Sequence, residues 1–329
     1  MKTKSTTKKT GRVRATARRK SGGPPPTTSP AFRLNRILVT TDFSVESKKA
    51  LPYAAAFAER IGGEIALLNV LELPPRFAGL ETLAGLHSGD AAMGRVYGGL
   101  DKLASQAFPP KTRVTTHARS GKPFSVITKL ARELEAGLII MATHGYSGLK
   151  HAFLGSTTER VVRHAPCPVL AVRGSEDQAS GRNQKSVTIQ RIVLATDFSD
   201  NSLKAVPVAQ SLADGFGARL TLMHVVEKFL IDAMLGQELT RDTSERLTGQ
   251  ARARLQQVAA ALRQRNGLRA DIAVRFGKPF DEISRGAQEL GASLIVVTTH
   301  GYTGLKHVYL GSVAERVVRH AHCPVLVVR

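Results

Sequence analysis

Arg36-Ile37-Leu38-Val39-Thr40-Thr41-Asp42-Phe43-Ser44 returns later in the chain as Arg191-Ile192-Val193-Leu194-Ala195-Thr196-Asp197-Phe198-Ser199. Each copy is a short apolar run with no polar residue until its end, followed by a Ser that can cap a helix. That is the pattern of a buried parallel strand feeding a helix. The repeat continues. Gly121-Lys122-Pro123-Phe124 returns as Gly277-Lys278-Pro279-Phe280, and residues 143–173 align without gaps to 299–329, with seven differences. The offset is 155 at the first motif and 156 at the later ones, so the chain holds two duplicated domains rather than a solenoid of short repeats.

Working outward from the first motif, each copy alternates strand and helix. In copy one the strands are expected at Ile37–Thr40, Glu64–Leu71, Val114–Ala118, Leu138–Ala142 and Val169–Val172, with helices after Ser44, from Pro123 and from Ser156. The crossover between the second and third strands varies between copies and is longer and more helical in the second, at Arg241–Gln264. Pro52 and Pro207 sit at matching places in the first helix of each copy and are expected to bend it. The fold class is therefore α/β, with two tandem doubly wound, Rossmann-like domains, each a five-stranded parallel sheet of order 3-2-1-4-5. The expected boundaries are a basic tail at 1–33, a first domain at 34–173, a linker at 174–188 and a second domain at 189–329. Strand five would be the sheet edge in each copy, and its apolar, pairing-competent face calls for cover. The two copies are thus expected to pack as an intramolecular pseudo-dimer through it, with a homodimer left open.

Composition narrows the function. The 329 residues are 42% hydrophobic and 22% charged, ordinary values for a chain with a packed core. No apolar stretch reaches the 18 residues of a membrane span. Two Cys give no disulfide framework, and the expected location is the cytoplasm. The net charge is +21, and residues 1–30 carry nine basic residues and no acidic one, which leaves +12 on the rest. That tail has almost no core-forming residues and reads as disordered, either a solubilising extension or an arm making non-specific contact with nucleic acid. With no Trp and 5% aromatics, stacking platforms for single strands are scarce.

In a doubly wound sheet ligands bind beyond the carboxyl ends of the strands, where the strand order reverses. In the order 3-2-1-4-5 that point lies between strands one and four. Asp42 and Asp197 follow strand one. Thr143-His144-Gly145 and Thr299-His300-Gly301 follow strand four, and Gly155-Ser156 and Gly311-Ser312 open the next helix. Gly145 lets backbone approach a ligand, and the helix start offers free N–H groups and the positive end of the helix dipole, which form a seat for phosphate. Asp42 across the crevice is placed to accept hydrogen bonds from ribose hydroxyls. A ligand-free account competes: Ser156-Thr157-Thr158-Glu159 and Ser312-Val313-Ala314-Glu315 have the form of capping boxes, the glycines can be turn residues, and Asp42 can cap the first helix. The occurrence of the whole spacing twice, at the switch point, favours the ligand. His144 and His300 have no nucleophile or second base beside them, so no catalytic residue is assigned. His164 with Cys167 lacks a partner pair of metal-ligand spacing.

The segment Met141-Ala142-Thr143-His144-Gly145 to Gly155-Ser156, with Thr-Asp-Phe-Ser after strand one, resembles the universal stress protein (UspA) family over about residues 34–173 and 189–329. One branch of that family binds adenine nucleotide through Gly, two residues, Gly, nine residues, Gly, then Ser or Thr. Gly145 and Gly301, Gly155 and Gly311, and Ser156 and Ser312 match. Ala142 and Thr298 stand in place of the first Gly, and the bulkier Thr makes the second site the weaker candidate. The resemblance implies ATP or a related nucleotide as ligand, ribose contacts from Asp42 and Asp197, adenine contacts from backbone at Val70 and Val225, and a role as a stress-response sensor or regulator with at most slow hydrolysis. Thr40 and Ala195, with Thr157 and Val313, complete the candidate set. No acidic cluster obviously recruits Mg²⁺, though Asp42 is placed to help.

Overall fold

Both faces of the first strand are buried. β1 (Arg36–Thr40) places Ile37, Leu38 and Val39 fully inside, which is why its sequence shows no alternation. The computed structural model of the chain describes residues 34–72, 88–143, 154–173, 187–227, 241–299 and 311–329. After β1 the first half runs α1 (Val45–Lys48), α2 (Leu51–Arg60), β2 (Glu64–Leu71), α3 (Ser88–Ala107), β3 (Val114–Ser120), α4 (Pro123–Glu133), β4 (Leu138–Ala142), α5 (Ser156–His164) and β5 (Val169–Val172). The second half repeats it as β6 (Arg191–Ala195), α6 (Asp200–Leu203), α7 (Ala205–Phe216), β7 (Arg219–Val226), α8 (Arg241–Asn266), β8 (Ala270–Phe276), α9 (Pro279–Glu289), β9 (Leu294–Thr298), α10 (Ser312–His320) and β10 (Val325–Val328).

Among the described residues the ten strands form one sheet in the order β3-β2-β1-β4-β5-β10-β9-β6-β7-β8. Strands are parallel within each half, and β1 lies between β2 and β4, so the order reverses there. The two halves meet where β5 pairs antiparallel with β10, Leu170 opposite Leu326. Helices cover both faces. One apolar cluster, including Ile37, Phe57, Leu100, Leu212 and Leu255, lies on the side of α2, α3, α7 and α8. The other, including Leu38, Ile127, Val161, Ile283 and Val317, lies on the side of α4, α5, α9 and α10. Each cluster draws on both halves. On the first face the Phe57 and Phe216 rings meet edge-on at 5.1 Å, and a Cβ at Gly215 would run into Ile61. On the second, Arg173 donates to the Arg319 carbonyl and Arg329 to the Ala165 carbonyl, so each half satisfies carbonyls at the other half's helix ends.

Three local expectations need correction. The prolines do not bend one helix. Pro52 sits in the first turn of α2, where its missing N–H costs nothing, and Ser44 caps the separate short α1. Pro207 likewise sits in the first turn of α7. The third strand runs two residues past Ala118, because Arg119 and Ser120 continue the ladder with Val70 and Leu71. The crossover helix α8 ends at Asn266, with Gly267 at φ +73 beyond it.

Candidate functional site

The loop after β1 is built from its own side chains. Phe43 N–H donates to Thr41 Oγ1 at 3.0 Å, and the Thr41 and Ser47 hydroxyls share a hydrogen bond, also 3.0 Å. Asp42 Oδ1 accepts from Ser44 N–H at 3.0 Å and from the Ser44 hydroxyl, while Ser44 Oγ accepts from Ser47 N–H at 3.1 Å and so caps α1. Asp42 is therefore not the cap; it orders the residue that is. These bonds hold Phe43 at φ +64, a left-handed conformation rare for a bulky residue. The second half repeats the loop at Thr196, Asp197, Phe198 and Ser199, with Phe198 also at φ +64. Beneath each loop a side chain from the next strand reaches the loop carbonyl. Asn69 Nδ2 donates to Thr41 O at 2.9 Å, and His224 Nδ1 lies 2.8 Å from Thr196 O.

The second wall is the start of α5. Gly155 N–H donates to Thr143 O at 2.9 Å, and a Cβ on Gly155 would lie 2.9 Å from the same oxygen. Its φ is −57, so glycine is required here by close backbone approach and not by a left-handed turn. Gly155 is itself the N-cap and has no side chain to bond the first turn. The capping boxes do not form: Ser156 lies one position inside the helix, and Glu159 pairs with Arg163 at 2.7 Å. The early N–H groups of α5 thus lack the usual side-chain partner. Thr158 Oγ1 donates to Ala142 O at 3.0 Å and ties the helix start to the end of β4. In the second half Gly311 N–H reaches Thr299 O at 2.6 Å and Glu315 pairs with Arg319, but Ala314 supplies no hydroxyl.

Between these walls lies a cavity of about 400 Å³. Asp42 and Thr40 line one side, Ala142, Gly155, Ser156 and Thr157 the other, and Leu68, Val70 and Ile127 the floor. The structure thus brings together every candidate of the first half except Gly145, which, with His144, His300 and Gly301, lies outside the described residues. In the second half Ala195 and Thr298 end β6 and β9, Asp197 follows β6, Val225 lies on β7, and Gly311, Ser312 and Val313 begin α10. Eight lining residues were missed by sequence reasoning, among them Ser47, Glu72, Pro123 and Thr158. Ser47 had a signal, since Ser202 recurs at the same offset; the Thr158 bond depends on tertiary approach alone. A larger cavity of about 650 Å³ lies at the opposite ends of the strands, lined by Ala55, Glu59, Lys111, Arg113 and Val187, and holds none of the candidates.

The electrostatics differ between halves. Burial pushes the His224 imidazole below its ordinary range, opposed by its bond to Thr196 and by Asp197, and reinforced by Arg254. Its ring stacks on Phe198 at 4.4 Å, and the Arg254 guanidinium lies over the other partner of that stack, 5.0 Å from the Phe198 centroid. Burial also pushes the Cys167 and Cys323 thiols up to about 12, so both behave as small apolar side chains. Among the described residues no cluster of three or more His, Cys, Asp or Glu is placed to hold a metal, and no helix is long and apolar enough to cross a membrane.

The universal stress protein family model matches residues 33–173 and again 188–329. One half of the chain is 36% identical over 140 residues to a universal stress protein of Methanocaldococcus jannaschii, covering 43% of this chain and 82% of that one. A Bacillus subtilis universal stress protein is 32% identical over 145 residues, covering 42% and 98%. The solved structure of a universal stress protein from Archaeoglobus fulgidus matches the whole arrangement, at TM-score 0.61 and 22% identity, over 91% of this chain and 97% of that one. With both halves matched by one family model, the chain belongs to the universal stress protein family.

Proposed function

We propose that the chain binds ATP or a related adenine nucleotide in the cavity of its first half, and that the second half offers a second, weaker site. The observation that carries this reading is the pairing of walls: a carboxylate at the end of β1 faces an uncapped helix start across about 400 Å³ of space, a volume suited to a small ligand. The uncapped N–H groups at Ser156 and Thr157 and the positive end of the α5 dipole suit phosphate. Asp42 suits ribose hydroxyls, and the apolar floor at Leu68, Val70 and Ile127 suits a base. The described lining holds two carboxylates, Asp42 and Glu72, too few for a protein-only magnesium cage. Asp42 is the residue that would help to hold a Mg²⁺ ion accompanying the nucleotide, and the ion would supply positive charge to offset the phosphates. The resemblance of the Gly and Ser positions to the nucleotide-binding branch of the family supports the same ligand, and with it a cytoplasmic role as a sensor or regulator in the stress response.

Mass spectrometry of the native, purified chain tests the reading. An adenine nucleotide carried through purification, or taken up on adding ATP, is the expected result. A chain that carries none and takes up none at millimolar ATP overturns it. A second reading rests on the nine basic residues of the tail, which suit a polyanion. DNA binding that falls steeply with salt and disappears on deleting residues 1–30 would place that activity in the tail, independent of the cavity.

A further inference from the structure

Glu72 follows the last residue of β2 and is exposed, yet it lines the same cavity as Val70 and Asp42. That strand lies on the other side of β1 from β4, which leads to Gly155, and Glu72 lies two residues beyond Val70 of the apolar floor. Among the described lining residues there is no Lys, Arg or His, so nothing on those walls neutralises it. An ionised carboxylate only accepts hydrogen bonds. Whatever edge of the ligand meets Glu72 must therefore donate. Of the groups on an adenine ring, the exocyclic 6-amino group is the donor, whereas the ring nitrogens accept. The duplication supports a purpose at this position. Asn69-Val70-Leu71-Glu72 corresponds to His224-Val225-Val226-Glu227, and the carboxylate is the same in both halves although two of its three neighbours differ.

We infer that Glu72 is a specificity-determining residue that reads the 6-amino group of the bound base, with Glu227 in the same role in the second half. This rests on the nucleotide reading above and extends it to how the base is chosen. The cost of losing the contact is that of a hydrogen bond to a charged group, about tenfold in affinity.

The test is a cycle on the full chain that pairs a change in the protein with a change in the ligand. Titration calorimetry compares ATP with purine riboside triphosphate, which is ATP without the 6-amino group, on the wild type and on Glu72→Ala combined with Glu227→Ala. The wild type is expected to bind ATP about tenfold more tightly than the analogue, and the double variant to bind the two alike. A second variant, Glu72→Gln with Glu227→Gln, keeps a carbonyl acceptor and is expected to retain part of the preference. A preference for ATP that survives Glu→Ala, or a wild type indifferent to the amino group, overturns the assignment while leaving nucleotide binding intact. Guanosine triphosphate bound more tightly than ATP, with that advantage lost in Glu→Ala, also overturns it, because the carboxylate would then be reading the N1–H edge. Failure of the wild type to bind either triphosphate sinks the nucleotide reading itself.

Discussion

The two halves solve one structural problem with different side chains. Under each β1-type loop a carbonyl points at the next strand, and the residue 28 positions later satisfies it: Asn69 for Thr41, His224 for Thr196. Above the loop, Gly99 lies against the Phe43 ring in the first half, so close that a Cβ there would sit 3.2 Å from it, while in the second half Arg254 lies over Phe198. At the start of the fourth helix, Val126 in the first half corresponds to Glu282 in the second, where the carboxylate is buried and paired with Arg275 and Arg285. Backbone geometry, including the strained Phe at φ +64, is the same in both. The duplication has kept the frame of the crevice and changed the side chains that brace it from behind. The halves are therefore expected to share a fold and a mode of ligand approach while differing in affinity and pH response.

The largest expected effect tests what they share. Gly155→Val together with Gly311→Val should abolish stabilisation by ATP, which in the wild type amounts to about 2.7 kcal/mol with ligand at 100 times its dissociation constant. A side chain at Gly155 meets the Thr143 carbonyl at 2.9 Å, so the helix start must shift and its N–H groups with it. Thermal shift with and without ATP is the measurement, with circular dichroism establishing that the variant is folded. A folded double variant that keeps the full shift would move the phosphate seat elsewhere.

That glycine also marks how far the sequence could be read. The strands were legible because a strand buried on both faces is a bare apolar run, and Ile37–Val39 and Leu138–Met141 are such runs. The start of the last helix was legible too, from Gly-Ser before an amphipathic stretch. The reason for Gly155 was not. Its sequence context fits a turn glycine or a capping box equally well, and only the approach of Thr143, twelve residues away, shows that neither applies. Thr158 looks like one position of a capping box until its hydroxyl is found on the Ala142 carbonyl. The prolines misled for a similar reason: Pro52 reads as an interruption when the helix is taken as one, and as a start once the shorter helix that Ser44 caps has ended at Lys48. Local rules located the elements; contacts between elements decided what individual polar residues do.

The next effect separates the halves. Arg275 donates from Nε to buried Glu282 and from Nη1 to Glu289, so Arg275→Ala leaves Glu282 with Arg285 alone. A loss of about 2 kcal/mol in stability is expected, below the full cost of stranding a buried charge because one partner remains. The matching residue of the first half, Arg119, is exposed and donates to its neighbour's carbonyl, so Arg119→Ala should change stability by less than about 0.5 kcal/mol. Chemical denaturation of both variants measures the difference, and equal losses would mean that the Glu282 network is not the distinction it appears in the geometry. A smaller step follows at the loop: Arg254→Ala removes a cation over Phe198 and should cost about 1 kcal/mol or less, with no counterpart to remove at Gly99.

The smallest expected effect is a change of slope with pH, and it turns on His224. In the folded chain burial holds its imidazole neutral to lower pH than usual, and Arg254 acts in the same direction, while Asp197 and the Thr196 carbonyl oppose. In the unfolded chain the same group protonates near its ordinary value of about 6.5. Between the two values the unfolded state therefore binds more protons than the folded state, and stability must rise with pH. The loss begins as pH falls through about 6.5 and levels off once the folded imidazole is also protonated. Above that window His224 contributes no such penalty. His224→Asn removes the titration but keeps a donor for Thr196, as Asn69 already does for Thr41. Burial also lowers His117, which is present in both proteins and so cancels from the comparison. The melting temperature of the variant relative to the wild type should accordingly climb as the pH is taken from about 8 to about 5, and the reverse exchange, Asn69→His, should import the same acid sensitivity into the first half. Parallel melting curves for wild type and His224→Asn across that range would mean that the second crevice hydrates its imidazole, and the distinction between the two halves would then rest on Arg254 and Glu282 alone.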